Sequence, residues 1–220
     1  MSGYTETLVD GNRDLWAAMA GHPWVRGLAA GTLPEPALIA WAQQCRLFCL
    51  LEGRALMALR ASAPPPELER LLARLGEDVE REPRQLAETL ASLGAPVVDE
   101  EWPVCLGYGA YVQSCAASGL LEGMAAVCAV ERSYLDTWSV VLPSVPPDSR
   151  WRGWVENWTG SGFRELVGDL CDRFDELAGT PSAPTSARLA PIFRNVVKWE
   201  VAFWEMCWRQ EGWPALEAHQ

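Results

Sequence analysis

Hydrophobic positions recur three and four residues apart along almost the whole chain, which is the spacing of one helix face. The pattern predicts a helix from Thr5 to Met19 and a longer one from the prolines at 34 and 36 to about Ala61. "PPPELERLLARLGEDVEREPRQLAETLASLG" reads as one or two exposed helices, with Pro83 marking a kink or break. Trp102–Ser118 and Leu120–Leu142 form a pair joined near Gly119. Arg150–Trp158, Phe163–Leu177 and Arg188–Gln210 complete the set. "GHPWVRGLAAGTLP" is a Gly- and Pro-punctuated loop with room for one helical turn, and "PSVPPDS" and "AGTPSAPTSA" read as a turn and a loop. No Val/Ile/Thr alternation is long enough for a sheet, and no repeat recurs. The expectation is an all-α bundle, one domain spanning residues 1–220 around one core.

Three glutamates break the pattern. Glu200 lies on a stripe with Val196, Phe203, Trp204 and Cys207, within "VKWEVAFWEMCW". Glu131 shares a face with Val127, Cys128, Tyr134 and Leu135, and Glu52 with Phe48, Cys49, Ala55 and Leu56. Burying an unpaired carboxylate costs several kcal/mol or more. Each therefore needs a partner, a ligand or water. Helices of a bundle can converge such acids on one cavity, where desolvation lets one act as acid and another as base. The alternative is a salt-bridged core residue, with Arg46 or Arg54 in reach of Glu52. Glu205 faces a different side, with Arg209 four residues on, and suits solvent. The tyrosines of "LGYGAYVQSC", Tyr108 and Tyr111, either donate hydroxyls into such a cavity or pack at its edge.

Composition narrows the function. Of 220 residues, 49% are hydrophobic and 21% charged, which fits a folded globular chain. No apolar run approaches the roughly 18 to 20 residues that cross a bilayer, and "MSGYTETLVDGNRDLW" lacks the basic and apolar regions of a signal peptide. A net charge of −11 argues against nucleic-acid binding and against a DNA-binding regulator. Seven cysteines without a C-x-x-C pair read as reduced, buried hydrophobes of a cytoplasmic protein. With His22 in a loop and His219 near the end, no metal site is expected, which disfavours a metal-dependent oxidase.

Four stretches together resemble the TenA / thiaminase II family. "HPWVRGLAAGTLPEPALIAWAQQCRLF" is similar to its opening and "YGAYVQSCAASG" to its central helix, while "ENWTGSGF" and "WEVAFWEMCW" are similar to its last two motifs. In order the matches span about Leu15 to Trp208, nearly the whole chain. The resemblance implies a heme-oxygenase-like helical bundle and hydrolysis of a C–N bond in aminomethyl- or formylaminomethyl-pyrimidines without metal or other cofactor. It also implies a homo-oligomer, dimer or tetramer, and 12 tryptophans are compatible with either buried interfaces or core packing. One branch of the family carries a cysteine nucleophile, and the other a glutamate in its place. Counting 23 residues on from Tyr108, or 12 on from Gly119, lands on Glu131 and not on Cys128. Trp158 also suits the glutamate branch.

Carried over, Glu200 matches the glutamate near the scissile bond, Phe203 the ring stacking on the pyrimidine, and Tyr108 a pocket tyrosine. Phe48 and Trp158 are candidates to complete an aromatic sandwich, with Tyr134 beside Glu131. Glu200 and Glu131 form the expected acid/base pair. The departure is Cys45, where the family has an aspartate that recognises the aminopyrimidine. A thiol cannot copy that bidentate pairing. Either Glu52, two turns on, supplies the carboxylate, or the pocket serves another planar ligand. The rival reading is a non-catalytic or re-specialised binder of a small heteroaromatic molecule.

Overall fold

The computed structural model describes residues 3–149 and 151–214. Arg150, the expected start of one helix, and His219 lie outside the described residues. Among the described residues the structure is helical, with no strand. In chain order the helices are α1 Tyr4–Asp10, α2 Arg13–Ala20, α3 Pro23–Ala29, α4 Glu35–Ala61, α5 Pro66–Ser92, α6 Pro103–Ser118, α7 Leu120–Val141, α8 Arg152–Asn157, α9 Ser161–Ala178 and α10 Ala183–Arg209. A 3-10 turn, Leu142–Ser144, follows α7.

Local chemistry explains where the boundaries differ from expectation. The helix predicted over Thr5–Met19 is two helices. The buried Asn12 side chain donates to Leu8 O at 2.7 Å and closes α1, while its Oδ1 accepts from Arg194 at 2.8 Å. The expected loop after Gly21 holds α3, seven residues long, because Pro23 opens it and the His22 imidazole caps it, accepting from Trp24 N–H at 3.2 Å. The other His22 nitrogen donates to Glu205 at 3.0 Å, so this histidine is committed to structure. Burial holds it below the usual imidazole range. Glu205 also pairs with Arg209, as the spacing suggested. At the far end α10 begins at Ala183, five residues before the expected Arg188. Ser182 caps it through Thr185 N–H, and Pro184 sits in its first turn.

Pro83 lies inside α5 without ending it. This helix is amphipathic, not simply exposed: Leu68, Leu72, Leu75, Val79, Leu86 and Leu90 are buried along α4. The buried Gln44 side chain pins the connection from α5 to α6, accepting from Trp102 N–H at 2.8 Å and donating to Glu100 O at 3.2 Å. Gly119, at φ 157°, makes the corner between α6 and α7, a conformation that side-chain-bearing residues rarely adopt. The heart of the core is a tryptophan cluster. Trp24, Trp41, Trp138 and Trp204 are fully buried, with Trp24 and Trp204 ring centres 4.6 Å apart. Many of the surplus tryptophans are thus core. No described helix is long and apolar enough to cross a membrane.

Candidate active site

Beside the tryptophan cluster the long helices enclose a small, partly open cavity of about 40 Å³. Each contributes a stripe at helical spacing. Helix α4 presents Cys45, Phe48, Cys49 and Glu52, and α5 presents Leu75, Asp78, Val79 and Glu82. Tyr108 comes from α6, Val130, Glu131 and Tyr134 from α7, Trp158 and Phe163 from the α8–α9 region, and Glu200 and Phe203 from α10. All nine residues singled out from the sequence line this one space: Cys45, Phe48, Glu52, Tyr108, Glu131, Tyr134, Trp158, Glu200 and Phe203.

The acids differ in their partners. Glu200 accepts from the Tyr108 hydroxyl at 3.1 Å. Burial pushes its carboxyl up to about 7, and the Tyr108 donor works against that rise. Glu52 and Glu131 act on each other in the cavity wall: their mutual contact opposes the rise of Glu52 and adds to that of Glu131. Glu52 rises to about 8, through burial first and then the repulsion of Glu82 and Glu200. Burial, then Glu52 and Glu82, drive Glu131 well above the carboxylate range. The expected arginine partners of Glu52 are engaged elsewhere: Arg46 donates to Val98 O at 2.6 Å and to Asp99 at 2.7 Å, and Arg54 is exposed. Oε1 of Glu52 is buried without a hydrogen-bond partner.

A fourth acid was not anticipated. Glu82 accepts from Trp158 Nε1 at 2.8 Å and from the Cys49 thiol at 3.3 Å. Burial raises its carboxyl, and these two donors oppose the rise. The signal was present, since Val79 three residues before and Leu86 four after set Glu82 on an apolar stripe, as with the other three. It was hidden by the surrounding run "GEDVEREPRQ", which reads as a solvated face.

Phe48 and Phe203 meet edge to face, centroids 6.1 Å apart at 63°. Phe48 also packs on Tyr108 at 4.4 Å. Trp158 stacks on Trp138 at 5.3 Å and Tyr134 on Trp204 at 6.1 Å, so these two rings are shared between the cavity and the core. The Cys45 thiol lies 3.7 Å from the Tyr134 hydroxyl. Tyr111 is outside the cavity and accepts from Asn195 at 3.2 Å. Cys128 is fully buried on another side of α7, 3.2 Å from the Cys171 sulfur and 3.9 Å from the Thr5 hydroxyl. Among the described residues no three His, Cys, Asp or Glu side chains are grouped to hold a metal ion.

Residues 10–210 match the model of the TENA/THI-4/PQQC family. The chain belongs to this family. Among relatives, the aminopyrimidine aminohydrolase of Halalkalibacterium halodurans is 26% identical, covering 96% of this chain and 97% of the relative. That of Bacillus subtilis is 24% identical, covering 90% and 86%. A TenA homologue from Pyrococcus furiosus superposes with a TM-score of 0.87 over 93% of this chain and 99% of that one, at 22% identity. A domain with a heme oxygenase-like fold from Shewanella denitrificans gives 0.70 over 94% and 92%, at 10% identity. The fold of this TENA/THI-4/PQQC member is therefore the all-α, heme-oxygenase-like bundle that its motifs implied.

Proposed function

We propose that this chain hydrolyses a C–N bond of an aminomethyl- or formylaminomethyl-pyrimidine, or of a related small heteroaromatic molecule, without a metal. One observation carries the reading. Two buried carboxyl systems of unlike environment, Glu200 on Tyr108 and the Glu52–Glu131 pair, line the same aromatic cavity. A ready split of roles follows, since a proton-holding pair is a natural acid and a lone carboxylate near neutrality a natural base. Glu200 takes a proton from water, and the water oxygen bonds to the ring-bearing methylene carbon. The C–N bond breaks with its electrons on nitrogen, and Glu131 supplies that nitrogen with a proton while Glu52 keeps the pair in place. The names of the aminohydrolase relatives agree with this chemistry. Turnover of aminomethyl- and formylaminomethyl-pyrimidines by Glu200→Gln and Glu131→Gln tests it. Each is expected to lose about 10²-fold or more in kcat, and full activity in both would refute the roles.

Cys45 favours a second reading, a re-specialised binder. Its thiol offers no bidentate carboxylate to an aminopyrimidine, and its neighbour is the Tyr134 hydroxyl. Calorimetric binding of a planar heteroaromatic ligand with no turnover of any pyrimidine would establish that reading in place of the first.

A further inference from the structure

We propose that Cys171 and Cys128 form a dithiol that reacts with hydroperoxides, in which Cys171 is oxidised first and Cys128 resolves it into a disulfide between α7 and α9. The pair lies outside the acid-lined cavity and stands apart from the hydrolase reading above.

The two sulfurs are already in contact. Cys128 on α7 and Cys171 on α9, separated by 43 positions in the chain, hold their sulfurs 3.2 Å from each other. A disulfide brings its sulfurs to about 2 Å, so roughly 1 Å of closure separates contact from bond. Cys45 and Cys49, one turn apart on α4, are engaged instead with the Tyr134 hydroxyl and with Glu82. The loop that a Cys128–Cys171 bridge closes carries Glu131, Tyr134, Trp158 and Phe163 of the cavity wall.

The pair is unequal in the way such chemistry needs. Of the seven cysteines Cys171 keeps the largest exposure, 8%, whereas Cys128 is at 0%. Arg132, one turn along α7 from Cys128, is held by Glu6 at 2.6 Å and Asp136 at 2.9 Å and reaches the Cys171 sulfur. Contact with Cys128, and then the Arg132 charge, hold the Cys171 thiol below its usual range against burial. The same contact, with burial, pushes the Cys128 thiol up. The thiolate is the nucleophile, so the sulfur nearer solvent is also the readier to attack. Asp175, the acid facing the pair, is occupied by the Thr5 N–H and hydroxyl, each at 2.7 Å. The Cys171 sulfur attacks one peroxide oxygen and the O–O bond breaks. A sulfenic acid forms, and the departing oxygen takes the thiol's proton. The Cys128 sulfur then attacks the Cys171 sulfur, the S–O bond breaks, and hydroxide leaves with the Cys128 proton as water. The thiols lose two electrons and the hydroperoxide gains them.

The test treats the folded wild-type chain with hydrogen peroxide, then quenches, unfolds and alkylates it, and maps the digest by mass spectrometry. The expected product is one pair of peptides joined through Cys128 and Cys171, lighter by two hydrogens and parted again by a thiol reductant. Cys171 should lose its alkylation at least about tenfold faster than Cys105, Cys115 or Cys207. In Cys128→Ser, which lacks the resolving thiol, Cys171 should take up dimedone as the sulfenic acid. In Cys171→Ser, Cys128 should stay fully alkylated. Melts of both variants report whether they fold, and if either does not, the wild-type map decides alone. An unchanged map, a bridge between any other two cysteines, oxidation of Cys128 when Cys171 is replaced, or Cys171 ending as a sulfinic acid with Cys128 untouched would overturn the proposal.

Discussion

The Tyr108 hydroxyl donates to Oε2 of Glu200 across 3.1 Å, a link between α6 and α10 inside a cavity where both side chains are buried. A hydrogen bond to a carboxylate favours its charged form. Removing the donor in Tyr108→Phe should therefore raise Glu200 above its present value of about 7. The acidic limb of kcat/KM is expected to move to higher pH while the alkaline limb stays. A pH–rate profile of the variant checks this, and an unmoved acidic limb would count against Glu200 as the base.

The wild-type profile follows from the same groups. Activity needs Glu200 ionised, which sets in near its value of about 7. It also needs the proton on Glu131, which burial and then Glu52 and Glu82 hold well above the carboxylate range. A bell with its acidic limb near 7 and its alkaline limb above it is expected, reporting apparent constants of the coupled set and not of single residues. A profile flat from pH 6 to 9 would contradict the scheme.

Stability should fall as pH rises through the same range. Glu52 titrates at about 8 in the fold, against an ordinary 4.5. The folded chain holds this proton longer than the unfolded one. The stabilisation is full below about 4.5 and is lost as pH rises through 8. Glu200 acts in the same sense up to about 7. Glu52→Gln removes its own part of this dependence, so its melting temperature should exceed the wild-type value at pH 8 but not at pH 5. Calorimetric melts at the two pH values decide the matter.

Cys128 gives a contrasting case. Its thiol is buried against Cys171 and Thr5, away from the cavity. Cys128→Ala is expected to lower stability through lost packing and to keep kcat for the substrate that Glu131→Gln no longer processes. A collapse of kcat with an unchanged melt would restore this cysteine as a nucleophile.

The helical spacing of apolar positions carried most of the architecture, because each long helix buries one stripe against its neighbours. Boundaries escaped it where a single side chain overrode the pattern, as Asn12 does between α1 and α2 and His22 does before α3. The acids of the cavity were legible wherever apolar neighbours framed them, as for Glu52, Glu131 and Glu200. Glu82 was missed because its own stretch is crowded with charge, and only the packing of α5 on α4 shows which of those acids turns inward. The hydrogen bonds that distinguish the acids, Tyr108 to Glu200 and Trp158 to Glu82, join side chains 92 and 76 positions apart. No periodicity within one helix encodes such a pairing.

The indole that holds Glu82 has two faces to its situation. Its nitrogen reaches a cavity acid at 2.8 Å, while its ring stacks on Trp138 at 5.3 Å within the tryptophan cluster. Any guest that draws Glu82 aside alters the surroundings of a chromophore already in contact with others of its kind. The bundle thus carries its own optical reporter: a change in intrinsic emission on ligand addition, absent in Trp158→Phe, would announce occupancy without a label.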